Sequence, residues 1–210
     1  MVYLLLYVDD VLLACRSLAK LTKIKGQLSS QCSMKDMGEA QWILGLQIRR
    51  ERKNCTLTLS QSQYIENIVE RFGLSDSHPQ STPCDVGMDL RQSIGVPTEK
   101  EADEMRGVPY AAAVGALMYA MLGTRPDIAY AISVLSQFMH APRPTHWKAV
   151  KRVLRYLKGT QQYQLHYGVG GPSHFYGFTD SNWAGDTGDR RSTCGYVFFL
   201  HGGAINWRSC

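Results

Sequence analysis

The sequence predicts an α+β protein, and three stretches of the 210-residue chain carry that prediction. Strand-like apolar runs lie near the amino terminus, helical periodicity fills residues 109–158, and strand-like alternation returns after residue 172. The length fits one domain plus a smaller piece, or two small lobes. With 44% hydrophobic and 20% charged residues, the composition excludes wholesale disorder.

The amino-terminal elements are predicted to be a strand, a turn and a second strand. Residues 2–8 are β-branched, aromatic and aliphatic, and residues 11–14 resume the apolar run after Asp9 and Asp10. The remaining elements of this part are one helix and two strands joined by a basic turn, expected over residues 17–31, 41–49 and 55–59.

A helix with its own start and stop signals follows. Ser60 and Gln63 form a capping-box pattern, apolar residues follow at helical spacing, and Gly73 is the expected stop. Residues 74–108 are poor in large apolar side chains and contain three prolines and an acidic cluster. We therefore expect a long surface connection, which is typical of an exposed or functional segment.

Three more helices and a strand meander complete the predicted fold. The helices are expected over residues 109–122, 126–140 and 145–158. Pro109 and Pro126 suit first-turn positions, and Thr145 is the expected cap of the third helix. The strands are expected over residues 174–179, 195–200 and 204–207, with Gly202-Gly203 as a hairpin turn.

Charge is unevenly distributed along the chain. Residues 1–108 contain 13 basic and 14 acidic residues, whereas residues 109–210 contain 10 basic and 4 acidic residues. The basic half favours a polyanionic partner, with a solvated cationic surface as the alternative. The chain lacks the Cys-x-x-Cys and His-Glu-x-x-His motifs of zinc sites, and its apolar run at residues 2–8 is too short to span a bilayer. We expect no membrane partner and a reducing cytoplasmic or nuclear location.

The Asp9-Asp10 pair is the strongest candidate for a catalytic or metal-binding site. Hairpin turns usually take glycine or asparagine, because their backbone needs positive φ. Two adjacent carboxylates repel each other unless a cation lies between them, and polymerases use carboxylate-bound divalent ions for phosphoryl transfer. The pair therefore indicates either a metal site or an acidic surface turn.

The helix predicted over residues 145–158 has one cationic side and one apolar side. Its cationic residues are Lys148, Lys151, Arg152, Arg155 and Lys158. Its apolar residues are Trp147, Val150, Val153, Leu154 and Leu157. The apolar side would pack in the core, while the cationic side would contact nucleic-acid phosphates or remain a solvated face.

Several blocks of the sequence resemble one known family. The run Leu6-Tyr7-Val8-Asp9-Asp10-Val11-Leu12-Leu13-Ala14 resembles the second aspartate motif of reverse transcriptases from copia-type LTR retrotransposons. The further blocks follow in the order of that family and are residues 34–40, 43–48, 119, 123–128, 146–160, 177–186 and 190–196. The four-residue Tyr-x-Asp-Asp motif alone is a weak signal, whereas the ordered set is highly specific.

This resemblance implies a partial reverse-transcriptase palm sheet, a helical thumb-like bundle and a truncated ribonuclease H-like β-meander. These lobes would cover residues 1–55, 56–171 with a linker at 74–108, and 172–210. The resemblance also implies that Asp9 and Asp10 bind the polymerase Mg²⁺, and that Asp180 is the first carboxylate of the ribonuclease H metal site. The implied function is RNA-templated DNA synthesis with degradation of the RNA strand, and the implied partner is an RNA/DNA hybrid or duplex nucleic acid.

The chain also departs from the pattern of this family. The first palm aspartate of the family precedes the segment that matches residue 1, and the later ribonuclease H carboxylates follow the segment that matches residue 210. We therefore expect neither metal site to be complete, and the chain to be inactive on its own unless missing polyprotein segments join it. The alternatives are a non-catalytic nucleic-acid-binding remnant and a relic without a molecular role.

Overall fold

A computed structural model of the protein describes residues 1–85, 90, 98–182 and 192–210. The chain divides into two compact units, Met1–Ile48 and Arg49–Cys210. Helices and antiparallel strand pairs make up the two units, so the predicted α+β class is confirmed. Residues 183–186 and 190–191 of the family blocks lie outside the described residues, as do parts of the predicted connection at 74–108.

The first unit is built on a hairpin and one helix. Strands β1 (Val2–Tyr7) and β2 (Asp10–Cys15) pair antiparallel. Helix α1 (Leu18–Gln31) begins after Ser17, whose hydroxyl accepts a hydrogen bond from the Lys20 amide at 3.4 Å. Strand β3 (Trp42–Ile43) pairs with the start of β4 (Leu46–Glu51). The strand–turn–strand and the helix lie where the sequence predicted them. The single strand predicted over residues 41–49 is instead two antiparallel strands, because Leu44 and Gly45 form a turn with positive φ, 50° and 69°.

The second unit begins with a hairpin that leads into a helix. Strand β5 (Thr56–Ser60) follows β4 after a short turn, as predicted, and helix α2 spans Ser62–Arg71. The predicted capping box is wrong, because Ser60 ends β5 and the cap is Gln61, whose buried side chain bonds to Thr124 instead. Gly73 ends the helix, as predicted, with a φ of 68°. The Gly73 amide donates a hydrogen bond to the Glu70 carbonyl, and the Leu74 amide donates one to the Val69 carbonyl.

The core of the second unit lies among four helices. After the short helix α3, three longer helical segments follow, and the second of them begins with a 3₁₀ turn. Their bounds are α3 (Glu99–Glu104), α4 (Tyr110–Gly123), a 3₁₀ turn (Pro126–Ile128), α5 (Ala129–Ser136) and α6 (Pro144–Gly159). Helices α2, α4, α5 and α6 enclose a cluster of buried residues that includes Ile65, Leu117, Ile132 and Leu154.

Two helix boundaries differ from the prediction. The second predicted helix begins as the 3₁₀ turn and ends at Ser136, four residues before the expected end. Thr145 does not cap α6: Pro144 is already in the first turn, and the cap is Arg143, whose backbone amide donates to His146 Nδ1 at 3.0 Å. The imidazole thereby occupies a position that usually belongs to a carboxylate or amide side chain.

The last strands form the predicted meander and one strand that was missed. Strand β6 (Gln164–Tyr167) pairs with β5. Its four residues alternate between polar and apolar, but the run is too short to predict a strand from periodicity alone. Strands β7 (Tyr176–Asn182), β8 (Thr193–Leu200) and β9 (Gly203–Ser209) lie in that order. The turn is His201-Gly202 rather than Gly202-Gly203, and both residues have positive φ, 50° and 80°.

The meander packs against the helical core through β9. The Trp207 indole Nε1 donates to the Met121 carbonyl at 3.0 Å, and the Tyr167 hydroxyl donates to the Ala204 carbonyl at 2.6 Å. Ala204 is 6% exposed. The aromatic side chains of Phe175, just before β7, and of Phe178, within β7, stay largely exposed. The meander is therefore packed against the rest of the second unit on one side and open on the other.

Candidate functional site

The Asp9-Asp10 pair lies at the tip of the β1–β2 hairpin. Tyr7 pairs with Asp10 across the strands, which leaves Val8 and Asp9 as a two-residue turn. Val8 has a φ of 51°, in the left-handed region that such turns usually give to glycine or asparagine. For a β-branched residue this conformation costs about 1–3 kcal/mol, a strain that is typically stored at functional sites.

The turn presents its two carboxylates to solvent. Asp9 and Asp10 are both exposed, and the flanking Leu6 and Val8 are 63% and 78% exposed. Two adjacent carboxylates offer oxygen ligands of the type that hard divalent cations prefer. Within the part of the chain that the structure describes, no group of three or more His, Cys, Asp or Glu side chains converges. The donor set of the turn fits a metal held by two protein carboxylates together with outside ligands.

Asp180 lies in the middle of β7, on the exposed surface of the meander. Its partner across the ladder is Gly195 of β8, which has no side chain to cover the carboxylate. Tyr176 and Phe178 precede Asp180 on the same side of the strand, because side chains alternate along a strand. The carboxylate is therefore open to solvent at the end of an aromatic row.

The cationic residues of α6 differ in what they contact. Lys148 is exposed, and the Lys151 ammonium lies 6.0 Å from the centroid of the Trp147 ring. Arg155 Nε donates to the Lys151 carbonyl of the same helix at 3.3 Å. These three side chains remain on the outer side of α6, whereas the residues predicted for its inner side, such as Val150 and Leu157, are fully buried.

Arg152 and Lys158 contact the segment that precedes α3 instead. Arg152 Nη2 donates to Thr82 Oγ1 at 2.9 Å, and its Nη1 lies 3.5 Å from Asp85 Oδ2. Lys158 Nζ donates to the carbonyl oxygens of Ser75 and Ser77. Residues 75–85 of the predicted surface connection thus lie along α6, and the predicted cationic side is divided between solvent and this segment.

Sequence reasoning missed a buried polar network around Arg125. This arginine is 1% exposed, and its guanidinium donates to both Asp127 carboxylate oxygens and to Thr160. The Tyr156 hydroxyl also donates to Asp127, at 2.7 Å. Burial pushes the pKa of Asp127 upward, but the hydrogen bonds and charge of Arg125 outweigh that effect and hold it below its usual range. Burial, together with Asp127, raises the pKa of Tyr156 to about 12.

No helix among the described residues has the length and apolar character that crossing a bilayer would need. The observations that bear on function are therefore the carboxylate turn of the first unit, the exposed Asp180 and the outer side of α6.

Comparison with known proteins places the carboxylate turn of the first unit within a region that matches a defined family. Residues 1–86 match the family model described as "Reverse transcriptase (RNA-dependent DNA polymerase)". The matched region includes Asp9, Asp10 and the whole first unit. No solved structure matches the chain significantly.

Relatives of the chain align over nearly its whole length, among them the following three. The retrovirus-related Pol polyprotein from transposon TNT 1-94 of Nicotiana tabacum is 47% identical over 208 residues, which are 99% of this chain and 16% of that protein. An uncharacterized mitochondrial protein of Arabidopsis thaliana is 42% identical over 98% of this chain and 81% of its own length. The Pol polyprotein from transposon RE2 of Arabidopsis thaliana is 35% identical over 99% of this chain and 14% of its own length. The chain thus spans about a sixth of the Pol polyproteins that it matches.

Proposed function

The chain belongs to the reverse transcriptase family of copia-type retrotransposon Pol polyproteins, and we propose that it contributes to RNA-directed DNA synthesis by such an enzyme. Its contribution is twofold. The Asp9-Asp10 turn supplies carboxylate ligands for the polymerase metal, and the outer side of α6 supplies cations for an RNA/DNA hybrid or duplex.

The strained turn is the observation that carries this proposal. Glycine or asparagine usually stands at the position of Val8, where φ is 51°, and a β-branched residue is the least suited to it. The turn instead keeps a β-branched residue and two adjacent exposed carboxylates between aliphatic strands. Asp9 stands at the tip of the turn and Asp10 at the start of β2, so the two carboxylates are adjacent in the chain and both exposed. When bound there, a divalent ion such as Mg²⁺ supplies charge neutralisation for phosphoryl transfer.

Manganese can test this metal site in the protein itself. We expect Mn²⁺ to broaden the amide NMR signals of residues 7–11 through paramagnetic relaxation. The double variant Asp9→Asn, Asp10→Asn should abolish the broadening, while the control variant Asp36→Asn, whose carboxylate is paired with Lys25 at 2.8 Å, should leave it unchanged. Broadening that persists in the double variant would show that the turn does not bind the ion.

Two further parts of the proposal follow from the family to which the chain belongs. Asp180 is proposed as the first carboxylate of a ribonuclease H site that further residues complete. We also propose that the chain contributes to the polymerase site without completing it, because the two-ion mechanism depends on ions that several ligands hold in position. Primer extension on an RNA template should be absent with Mg²⁺ or Mn²⁺, and template-dependent incorporation that disappears in Asp9→Asn would contradict this.

The proposed α6 surface is supported by three cations on its outer side, of which Lys148 is exposed and Lys151 and Arg155 are half-buried. Lys148, Lys151 and Arg155 lie one turn apart on the outer side of the helix, a spacing that lets them contact successive phosphates. Segment 125–158 contains seven basic residues and one acidic residue, so the local field also favours a polyanion. Such contacts would be independent of nucleotide sequence, because phosphates carry no base information.

A further inference from the structure

Residues 75–85, here called the strap, are held against α6 tightly at one end. Lys158 Nζ donates to the carbonyl oxygens of Ser75 and Ser77, the latter at 2.7 Å. Pro79 lies so close to Gly159 that a Cβ on that glycine would be 2.9 Å from the Pro79 Cβ. The Gln80 amide donates to the Arg155 carbonyl at 3.3 Å. These contacts combine a satisfied cation with close backbone packing, so this end of the strap is fixed.

The other end of the strap is held through Arg152, by a hydrogen bond of 2.9 Å from its Nη2 to Thr82 Oγ1 and by an ion pair with Asp85. The ion pair between Arg152 and Asp85 is long, at 3.5 Å, and the Asp85 side chain is 53% exposed. The Arg152 Nε is buried and has no hydrogen-bond partner among the described residues. A cavity of about 190 Å³ lies between Pro83–Asp85 of the strap and helices α5 and α6, and Arg152 lines it. Beside the Thr82 bond, the long ion pair, the unpaired donor and the cavity indicate that the contact at Asp85 is less well packed than the end at Ser75–Pro79.

Arg152 is also placed to extend the proposed nucleic-acid surface. It follows Lys148 by one helical turn and precedes Arg155 by three residues, so the three side chains are neighbours on α6. A phosphate group offers oxygens in the planar, two-point geometry that a guanidinium binds best, whereas Asp85 engages only one nitrogen of Arg152. A phosphate could therefore satisfy Arg152 better than the strap does.

We propose that the outer end of the strap is an exchangeable cover over Arg152, and that a nucleic-acid phosphate replaces the Asp85 carboxylate there. In the free protein, the Arg152 guanidinium pairs with Asp85 and donates a hydrogen bond to Thr82. When nucleic acid binds, residues 82–85 move away from α6 while the end at Ser75–Pro79 stays fixed. Arg152 then joins Lys148, Lys151 and Arg155 in contact with the nucleic-acid phosphates. This inference rests on the proposed nucleic-acid binding by α6.

Two variants of the strap separate this exchange from a general charge effect. Asp85→Asn removes the competing carboxylate, and Asp76→Asn removes an exposed carboxylate of the same strap, so both change the net charge equally. By fluorescence anisotropy with an RNA/DNA hybrid, Asp85→Asn should bind about threefold more tightly than Asp76→Asn. Adding Arg152→Gln to Asp85→Asn should remove that gain. Equal affinities for the two single variants would overturn the inference.

Alkylation of Cys84 gives a second readout of the same movement. Cys84 is half-buried beside the cavity, whereas Cys55 is exposed. Peptide mass spectrometry should show faster iodoacetamide labelling of Cys84 when the hybrid is bound, with Cys55 unchanged, and an unchanged Cys84 rate would overturn the inference. If the double variant Lys148→Gln, Lys151→Gln binds as tightly as the parent, the binding by α6 has failed instead, which distinguishes the two claims.

Discussion

Arg125 donates to Thr160 twice, from Nη1 to its carbonyl oxygen at 3.1 Å and from Nη2 to its hydroxyl at 2.6 Å. Thirty-five residues separate the two along the chain, so the bonds join the corner before α5 to the end of α6. The same guanidinium pairs with Asp127 at 2.7 Å and lies within 5.5 Å of the Tyr156 ring centroid. Two of the sequence blocks that resemble the family are thus parts of one buried network.

Removing Arg125 should destabilise the protein strongly. In Arg125→Gln the Asp127 carboxylate loses its partner in a half-buried site, and breaking a buried pair typically costs about 3–5 kcal/mol. Arg106→Gln is the matched control, because Arg106 is 83% exposed and pairs with Asp103 on the surface. Urea unfolding should show the large loss only for Arg125→Gln, and equal free energies of unfolding for the two variants would contradict the role of the network.

Two glycines of α4 should respond oppositely to alanine. A Cβ on Gly123 would lie 2.5 Å from Nε2 of the buried Gln61, whereas a Cβ on Gly115 would meet nothing within 4 Å. Gly123→Ala should therefore cost about 1–3 kcal/mol through overpacking. Gly115→Ala should stabilise the helix by about 0.5–1 kcal/mol. Thermal unfolding that moves in the same direction for both variants would show that Gln61 does not pack as described.

His146 should make the stability depend on pH. Its Nδ1 accepts from the Arg143 amide and its Nε2 contacts the Leu90 carbonyl at 3.0 Å, an arrangement that suits the neutral ring. Burial lowers its pKa below the ordinary 6.5, although the Leu90 carbonyl opposes this. The unfolded chain then binds the proton more readily, so stability is full above pH 6.5 and falls as the pH drops toward the folded pKa.

The variant His146→Gln isolates this effect. Free energies of unfolding between pH 8 and 5 should fall less steeply in the variant than in the parent, even though the variant is less stable at pH 8. If the two slopes over this interval are the same, the pH dependence comes from other groups.

Deleting residues 172–210 should destabilise the rest of the protein. From the sequence alone, an uncovered apolar sheet predicts that this deletion improves solubility. The structure instead joins β9 to the core through Trp207 and Ala204, so the deletion exposes buried surface. The milder variant Trp207→Phe, which leaves the Met121 carbonyl without its donor, should cost about 1–3 kcal/mol in thermal unfolding. An unchanged melting temperature in Trp207→Phe would contradict the packing of β9.

The sequence predicted features that depend on local patterns. The hairpin at Asp9, the stop at Gly73 and the buried side of α6 follow from periodicity and turn chemistry, which act over a few residues. The network of Arg125 and the strap over Arg152 depend on contacts between residues far apart in the chain, to which no local pattern points. The capping box failed for the same reason, since pairing with the distant Gln164 of β6 keeps Ser60 in β5.

The salt dependence of nucleic-acid binding tests the central claim, that the outer side of α6 contacts phosphates. Each neutralised phosphate contributes roughly 0.9 to the slope of log affinity against log salt for duplex DNA. The triple variant Lys148→Gln, Lys151→Gln, Arg155→Gln should reduce that slope by about two to three units, with an unchanged circular dichroism spectrum. The control variant Lys20→Gln, Lys23→Gln, Lys35→Gln, which removes the same charge from exposed positions, should keep the slope of the parent. A triple variant of α6 that retains the slope of the parent would contradict the account.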